Sequence, residues 1–200
     1  MTIKKINKSD LEGIYKREKK YLFKAVKDGK SPYHIFTLST INNDYAESRM
    51  VVLRKVNTNP FKLFFNSDIR SPKANQLKNN KYCNVLFYDS IRRIQMRFKC
   101  FITINYKNNI SQELWNQTAL QSRKCYMGPY SPSSKLNKWH PNVPIECIER
   151  DPSKEESQSG YKNFMNIELN IIKADILELH YNGHIRFEVL KNNEINFLSA

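Results

Sequence analysis

The chain has 200 residues, 33 Lys and Arg against 19 Asp and Glu, and a formal net charge of +14. A hydrophobic fraction of 40% with 12% aromatic residues excludes a disordered chain, and the length suits one domain, predicted to span residues 1–200. No run reaches the roughly 18 apolar residues of a membrane span, and no signal peptide opens the chain, so we expect a cytosolic protein. The charge favours anionic partners without choosing between nucleic acid, membrane surface and phosphorylated small molecules.

The first half predicts a helix followed by an antiparallel meander. Apolar spacing with a polar start and a closing glycine predicts a helix over Ser9–Gly29, which fills the N-terminal region 1–30. Short turns join the next runs rich in β-formers. The predicted strands are Tyr33–Ile41, Arg49–Val56 and Phe61–Asn66.

The second half predicts two further helices, a long loop and more strands. Ser71 and Pro72 are typical of a helix start. Prolines, serines and acidic residues predict an exposed loop over 127–161, of a length that is often functional. The predicted helices are Ser71–Asn80 and Ser111–Lys124, and the predicted strands are Tyr82–Tyr88, Ile94–Ile104, Phe164–Leu179, Ile185–Leu190 and Ile195–Ala200. Many short strands with few helices predict a mainly β (α+β) barrel with peripheral helices.

Most sequence signatures of enzymes are missing. The chain has no Walker loop, no GxGxxG and no HExxH. His180 and His184 are four apart in a predicted strand and turn, where this spacing does not place both on one face, so we predict no metal site. We expect reduced cysteines, because no C-x-x-C pair occurs among Cys83, Cys100, Cys125 and Cys147.

Cationic and small polar residues cluster at the ends of successive strands. Arg49 and Arg54 bracket one apolar run, and Ser71 and Lys73 open a predicted helix, whose free N–H groups attract anions. Five glycines leave little material for a glycine-built cradle, so a phosphate must be held by side chains. Charged side chains at strand ends are usually solvated, so each residue taken alone favours a solvated surface, whereas the order and spacing of the whole set favour a binding site. The set is Arg49, Arg54, Ser67, Arg70, Ser71, Lys73, Gln95 and Arg97.

The order of three segments resembles the core of the pyridoxamine 5'-phosphate oxidase family, in its FMN-binding branch. The resemblance covers Tyr33–Arg123, and more loosely the strands after Phe164. It implies an antiparallel FMN-binding split β-barrel and a homodimer with FMN at the interface. The segments are ESRMVVLRKV, LFFNSDIRSPKANQLKNN and VLFYDSIRRIQMRF.

The resemblance also implies roles for individual residues. Arg49, Lys73 and Ser71 would hold the phosphate, and Arg186 would reach the flavin from the partner subunit. Arg54, Ser122 and Arg123 would bind substrate. The residues implied to contact the cofactor are Arg49, Met50, Val51, Val52, Leu53, Arg54, Asn66, Ser67, Arg70, Ser71, Lys73, Gln95 and Arg186.

Departures from the family pattern weaken the case for vitamin B6 oxidation more than the case for FMN binding. Pro72 stands where many oxidases have arginine, although Arg70 lies nearby; His180 replaces a late tryptophan, and Cys100 replaces a glycine. The terminal signature that helps to bind pyridoxal phosphate is absent. FMN binding is therefore better supported than vitamin B6 oxidation.

Three functional hypotheses remain open at this point. The first is an FMN-dependent oxidoreductase acting on a small anionic substrate. The second is a flavin-binding module without turnover. The third is a nucleic-acid-binding protein, suggested by the charge and eleven tyrosines, although no nucleic-acid motif is recognisable.

Overall fold

The computed structural model describes residues 5–200 and divides them into two compact units. Unit 1 contains the residues up to Phe65, together with Asn80–Ile102 and Leu169–Ala200. Unit 2 contains Asn66–Asn79 and Thr103–Glu168. The single domain expected over residues 1–200 stays a prediction.

The chain is mostly antiparallel sheet with peripheral helices, as predicted. Its helices are α1 (Lys8–Ala25), α2 (Pro72–Asn79), α3 (Asn109–Gln117), α4 (Leu120–Arg123) and α5 (Lys154–Ser157), with 3-10 turns at Lys124–Tyr126, Ile145–Cys147 and Gln158–Asn163. None of the helices among residues 5–200 is long and apolar enough to cross a membrane.

Nine strands form the sheet within residues 5–200. They are β1 (Ile35–Asn42), β2 (Tyr45–Val52), β3 (Lys55–Thr58), β4 (Phe61–Asp68), β5 (Tyr82–Asp89), β6 (Ile94–Asn105), β7 (Phe164–Glu178), β8 (Ile185–Leu190) and β9 (Ile195–Leu198). The order is β2-β1-β5-β6-β7-β4-β3, with β8 pairing β7 and β9. Within the described residues the path ends at β2 and β3, so the sheet is not closed.

Alternating burial along the strands builds the core of unit 1. In β6 alternate residues from Ile94 to Ile102 are buried, so one face of the strand is apolar. Aromatic rings meet on that side, with the Phe36 and Phe87 centroids 5.0 Å apart and those of Phe87 and Phe98 6.0 Å apart. Such buried ring pairs add to the stabilisation from area burial.

Two predicted elements are each divided in two. The predicted strand Arg49–Val56 breaks after Val52, because the Leu53 N–H donates to the His34 carbonyl while the Arg54 N–H donates to Phe64. The predicted helix Ser111–Lys124 breaks at Thr118, whose extended backbone (ψ 129°) leaves the helix. A β-branched residue whose hydroxyl bonds the Leu114 carbonyl four residues back favours such an ending.

The predicted start of α1 and the predicted loop also differ from the structure. Asn7, rather than Ser9 or Asp10, caps α1, and its side chain accepts from the Asp10 N–H in a capping box. The region 127–161 contains α5 and 3-10 turns within a mainly irregular segment. Ser153 and Glu156 form the capping box of α5, an S-x-x-E pattern visible in the sequence.

Trp115 is the centre of the apolar core of unit 2. It is fully buried, and its ring centroid lies 5.1 Å from that of Phe164 and 5.8 Å from that of Tyr126. Its indole N–H donates to the Gln158 side chain. This packing secures the helical segment around α3 and α4 against the start of β7.

Candidate functional site

A cluster of hydroxyl and ammonium groups surrounds the start of α2 in unit 2. The Ser67 and Ser71 hydroxyl oxygens lie 3.4 Å apart, and the Lys73 ammonium donates to Ser67 Oγ over 3.3 Å. Both serines are buried, and Lys73 is half-buried. Hydroxyls and an ammonium at a helix N-terminus suit a phosphate, although the Ser71 hydroxyl donates to the Asp68 carbonyl here and would have to turn to donate to a ligand. These residues, which we call the phosphate cluster, therefore fit the phosphate of FMN.

Asp68 binds Arg70 beside the phosphate cluster. The Arg70 guanidinium makes a two-pronged contact with the Asp68 carboxylate, at 2.7 Å for its shortest bond, and also donates to the Gly128 carbonyl. The hydrogen bonds to Asp68 raise the pKa of Arg70 above its ordinary value. Its charge is thus balanced by Asp68, and it orders the chain around Gly128. The predicted contact between Arg70 and the cofactor stays a prediction.

Asparagines connect the end of β4 to the start of β7. The Asn166 amide donates to Asn66 Oδ1 over 2.9 Å, and Asn166 is fully buried. Asn166 Oδ1 also lies 3.5 Å from the Asn105 amide. Asn166 thereby orients Asn66, which the resemblance places at the flavin. The sequence analysis missed Asn166, because one asparagine in an apolar strand gives no motif.

Arg49 is held by its neighbours on the inner face of β1 and β2. Its guanidinium donates to the Thr40 hydroxyl and forms a 3.1 Å ion pair with Glu47. Thr40 and Glu47 are directly opposite each other in the β1–β2 register. The contacts therefore fix the direction of Arg49. Glu47 is 41% exposed, which leaves this pair partly screened by solvent.

The remaining residues of the predicted RMVVLR segment differ in exposure. Met50 is 63% exposed, whereas Leu53 is fully buried. Val51 and Val52 are half-buried. Arg54 is exposed and lies in the break between β2 and β3. Alternation along a continuous strand would place Arg49 and Arg54 on opposite faces, but β2 ends before Arg54.

The outward face of β1, β2, β5 and β6 in unit 1 is rich in exposed apolar side chains. Directly opposite residues in antiparallel strands share a face, and the registers pair Thr37 with Met50 and Leu86, and Leu86 with Arg97. We call this surface the outer face; it includes Ile35, Ile41, Met50, Tyr82, Tyr88, Gln95, Arg97, Lys99 and Phe101.

Gln95 lies on this outer face, Arg186 of β8 reaches it by sharing the Asp175 carboxylate with Arg97, and Arg49 is not part of it. Asp175 binds both Arg97, at 2.5 Å, and Arg186, at 3.0 Å. Burial, the largest influence, raises the pKa of Asp175, but the hydrogen bonds from Arg186 and Arg97 outweigh it and hold that pKa below its usual value. Asp175 was missed by the sequence analysis. Arg49 is adjacent to Met50 in β2 and therefore faces the opposite side.

Arg123 is buried in unit 2. Its guanidinium donates to the carbonyls of Asn116 and Thr118 and to the Ser157 hydroxyl, and stacks over Trp115 at 4.9 Å. Burial lowers the pKa of Arg123. These contacts give Arg123 a structural position, while Ser122 is half-buried beside it. Substrate binding by Arg54, Ser122 and Arg123 stays a prediction.

The two histidines that the sequence analysis considered lie at the end of β7. The His180 N–H donates to His184 Nδ1 over 3.2 Å, and the His180 ring contacts Glu178. Among residues 5–200, no group of three or more His, Cys, Asp or Glu side chains could hold a metal ion.

A family model matches much of the first half of the chain. Residues 17–105 match the family model described as pyridoxamine 5'-phosphate oxidase, FMN-binding domain. This match spans β1 to β6 with α2, including all the predicted FMN contacts except Arg186. It confirms the resemblance recognised in the sequence. The search of curated proteins gives no match.

Solved structures share the fold at low sequence identity. A pyridoxamine 5'-phosphate oxidase-related, FMN binding protein from Nostoc punctiforme PCC 73102 is 18% identical with a TM-score of 0.70, covering 90% of this chain and 94% of that one. PhzG from Burkholderia lata 383, in complex with tetrahydrophenazine-1-carboxylic acid, is 13% identical with a TM-score of 0.66, covering 93% and 92%. These similarities confirm the predicted split-barrel fold class.

Proposed function

We propose that this chain, a relative of the pyridoxamine 5'-phosphate oxidase FMN-binding family, binds FMN and acts as an FMN-dependent oxidoreductase on a small anionic substrate. The observation that carries the proposal is the phosphate cluster, Ser67, Ser71 and Lys73, at the start of α2. It lies within the matched residues 17–105 and supplies donors suited to a phosphate monoester.

The chain's own residues divide the work of binding and tuning. Bound FMN supplies the hydride acceptor or donor, and the protein orients it and adjusts its electronics. The phosphate cluster anchors the phosphate, and Asn66, oriented by Asn166, contacts the ribityl chain or ring edge. Gln95 hydrogen-bonds the ring. Exposed Arg54 attracts the anionic substrate.

The position of Gln95 favours a homodimer as the flavin-binding form. Gln95 lies on the outer face and Arg186 reaches it, whereas Arg49 faces the opposite side of the same sheet. A single flavin contacts all three when two copies contribute, with Arg49 from one and Gln95 and Arg186 from the other. The exposed apolar side chains of the outer face, such as Met50 and Phe101, are what a second copy would cover.

A flavin-retention experiment tests the cofactor. Purified protein is mixed with FMN, passed through gel filtration, and its visible spectrum is recorded. We expect about one FMN per chain, and Lys73→Ala to weaken FMN binding roughly 10- to 100-fold, because hydrogen bonds to charged groups contribute about 1.5–3 kcal/mol. Lys78→Ala is the matched control, since Lys78 is exposed in the last turn of the same helix.

Two outcomes would contradict the proposal at different levels. A protein that retains no flavin, or a Lys73→Ala variant that binds FMN as tightly as Lys78→Ala, refutes the cofactor assignment. A flavoprotein whose bound FMN is reduced neither by nicotinamide donors nor by a panel of small anionic substrates under anaerobic conditions would leave the non-catalytic flavin-binding module as the function. Sedimentation equilibrium tests the dimer by comparing the molecular masses of wild type and Met50→Glu. We expect the introduced carboxylate to dissociate the dimer.

A further inference from the structure

A cavity lies in unit 1, lined by residues outside the predicted flavin-binding set. It measures about 520 Å³, which lies within the range of small-molecule sites. Helix α1 lines it through Tyr15 and Lys19, and the β3–β4 hairpin through Thr58 to Lys62. Strand β7 and the β8–β9 turn complete the walls, so four separate elements converge here.

The walls of this cavity are cationic. Lys19, Lys62 and Lys191 contribute three ammonium groups, and no acidic residue is among its lining residues within the part of the chain that the structure describes. The acidic residue closest to Lys191 in the β8–β9 turn, Glu194, is engaged by the Asn192 side chain. The residues that line the cavity therefore carry a net positive charge.

Lys19 occupies a constrained position in the cavity wall. Its ammonium nitrogen lies 4.6 Å from the Tyr15 ring centroid and 5.8 Å from that of Phe61. The two rings meet edge to face at 6.0 Å and so support it. Burial, followed by the nearby charge of Lys16, lowers the pKa of Lys19. An anion in the cavity would offset both effects, because it favours the charged ammonium.

Neutral polar groups complement the three lysines. The amides of Asn59, Asn170 and Asn193 line the same cavity. Asn193 has a left-handed backbone (φ 65°), and its N–H closes the β8–β9 turn on the Leu190 carbonyl. This turn geometry brings Lys191 and Asn193 to the cavity. Ammonium groups with amide donors suit a phosphate, for which lysine acts as a point charge.

We propose that this cavity binds a small organic phosphate ester, with Lys19 and Lys191 neutralising the phosphate. The aromatic and aliphatic wall contributed by Tyr15, Phe61 and Ile172 accommodates the organic part of the ligand. This inference does not depend on FMN binding, because none of its residues is among the predicted flavin contacts.

Calorimetric titration with inorganic pyrophosphate tests the site. The full chain is first incubated with FMN and then freed of unbound FMN by gel filtration, so that any flavin phosphate site is filled and no free phosphate ester competes with pyrophosphate. We expect wild type to bind pyrophosphate, and Lys19→Gln and Lys191→Gln each to weaken binding about tenfold, the loss of one charged hydrogen bond. The control is Lys27→Gln, an exposed lysine just after α1 that does not line the cavity.

Two outcomes would overturn this proposal. The first is equal pyrophosphate affinity in Lys191→Gln and Lys27→Gln; Lys191 is exposed, so its substitution leaves folding intact. The second is citrate binding as tightly as pyrophosphate, because citrate carries similar charge without phosphorus. Flavin retention measured on the same variants is expected to be unchanged, so failure here is distinguishable from failure of the FMN proposal.

Discussion

Glu18 of α1 is a buried charge whose removal should strongly destabilise the protein. The carboxylate is fully buried, and it accepts hydrogen bonds from the Tyr33 hydroxyl at 2.7 Å, from Arg92 at 2.8 Å and from Arg17 at 2.7 Å. Breaking a buried ion pair costs about 3–5 kcal/mol, because the partner charge remains. Arg92 keeps its bond to Asp89 and is 26% exposed, which favours the lower end of that range.

We therefore expect Glu18→Gln to lower the free energy of unfolding by about 3 kcal/mol, or the melting temperature by roughly 6–12 °C for a chain of this size. Urea denaturation followed by circular dichroism measures this. Glu12→Gln is the control, since Glu12 is exposed on the same helix. A loss below about 1 kcal/mol, the range of an exposed ion pair, would refute the view that Glu18 organises a buried network.

Three further predictions concern stability and reactivity. Gly128→Ala should destabilise the protein by about 1–3 kcal/mol in thermal unfolding, because a Cβ there would lie 2.1 Å from the Asn142 carbonyl oxygen. Gly13→Ala, which adds a methyl group in open space within α1, should instead stabilise the protein by roughly 1 kcal/mol. The lowered pKa of Asp175 contributes stability above its unfolded pKa that is lost as pH falls through its folded pKa, so Asp175→Asn should flatten the stability profile below about pH 4. Under native conditions Ellman's reagent should react with exposed Cys125 before the three buried cysteines are accessible, and rapid reaction of all four would contradict this.

The strands were largely predictable because the side-chain alternation is strong in the sequence. The predicted Tyr82–Tyr88 and Ile94–Ile104 agree with β5 and β6 to within one residue at each end. The break between β2 and β3 was not predictable, because it depends on backbone hydrogen bonds from Leu53 and Arg54 to two different strands. No local residue pattern records such tertiary pairing.

The candidate site was only partly predictable for a related reason. The sequence indicated Ser67, Ser71 and Lys73, because the serine and proline at the helix start are local signals, and the structure brings these three together. Asp68, which neutralises Arg70, lies inside a recognised segment that does not indicate its partner. Asp175, which neutralises Arg186, lies far from any motif. A sequence gives the presence of an arginine, whereas only the fold gives its counter-ion.

The ion pairs of the structure involve arginine more often than lysine. Arginine dominates the described ion pairs: Arg17, Arg49, Arg70, Arg92, Arg97, Arg150 and Arg186 each contact a carboxylate. The chain has 33 cationic residues and only 19 acidic ones. Because arginines pair with many of the carboxylates, the excess positive charge is carried mainly by lysines. The cation of the phosphate cluster is Lys73, and the constrained cation of the cavity in unit 1 is Lys19. Binding of phosphate at either place should therefore weaken with rising salt concentration and with substitution of the lysine found there.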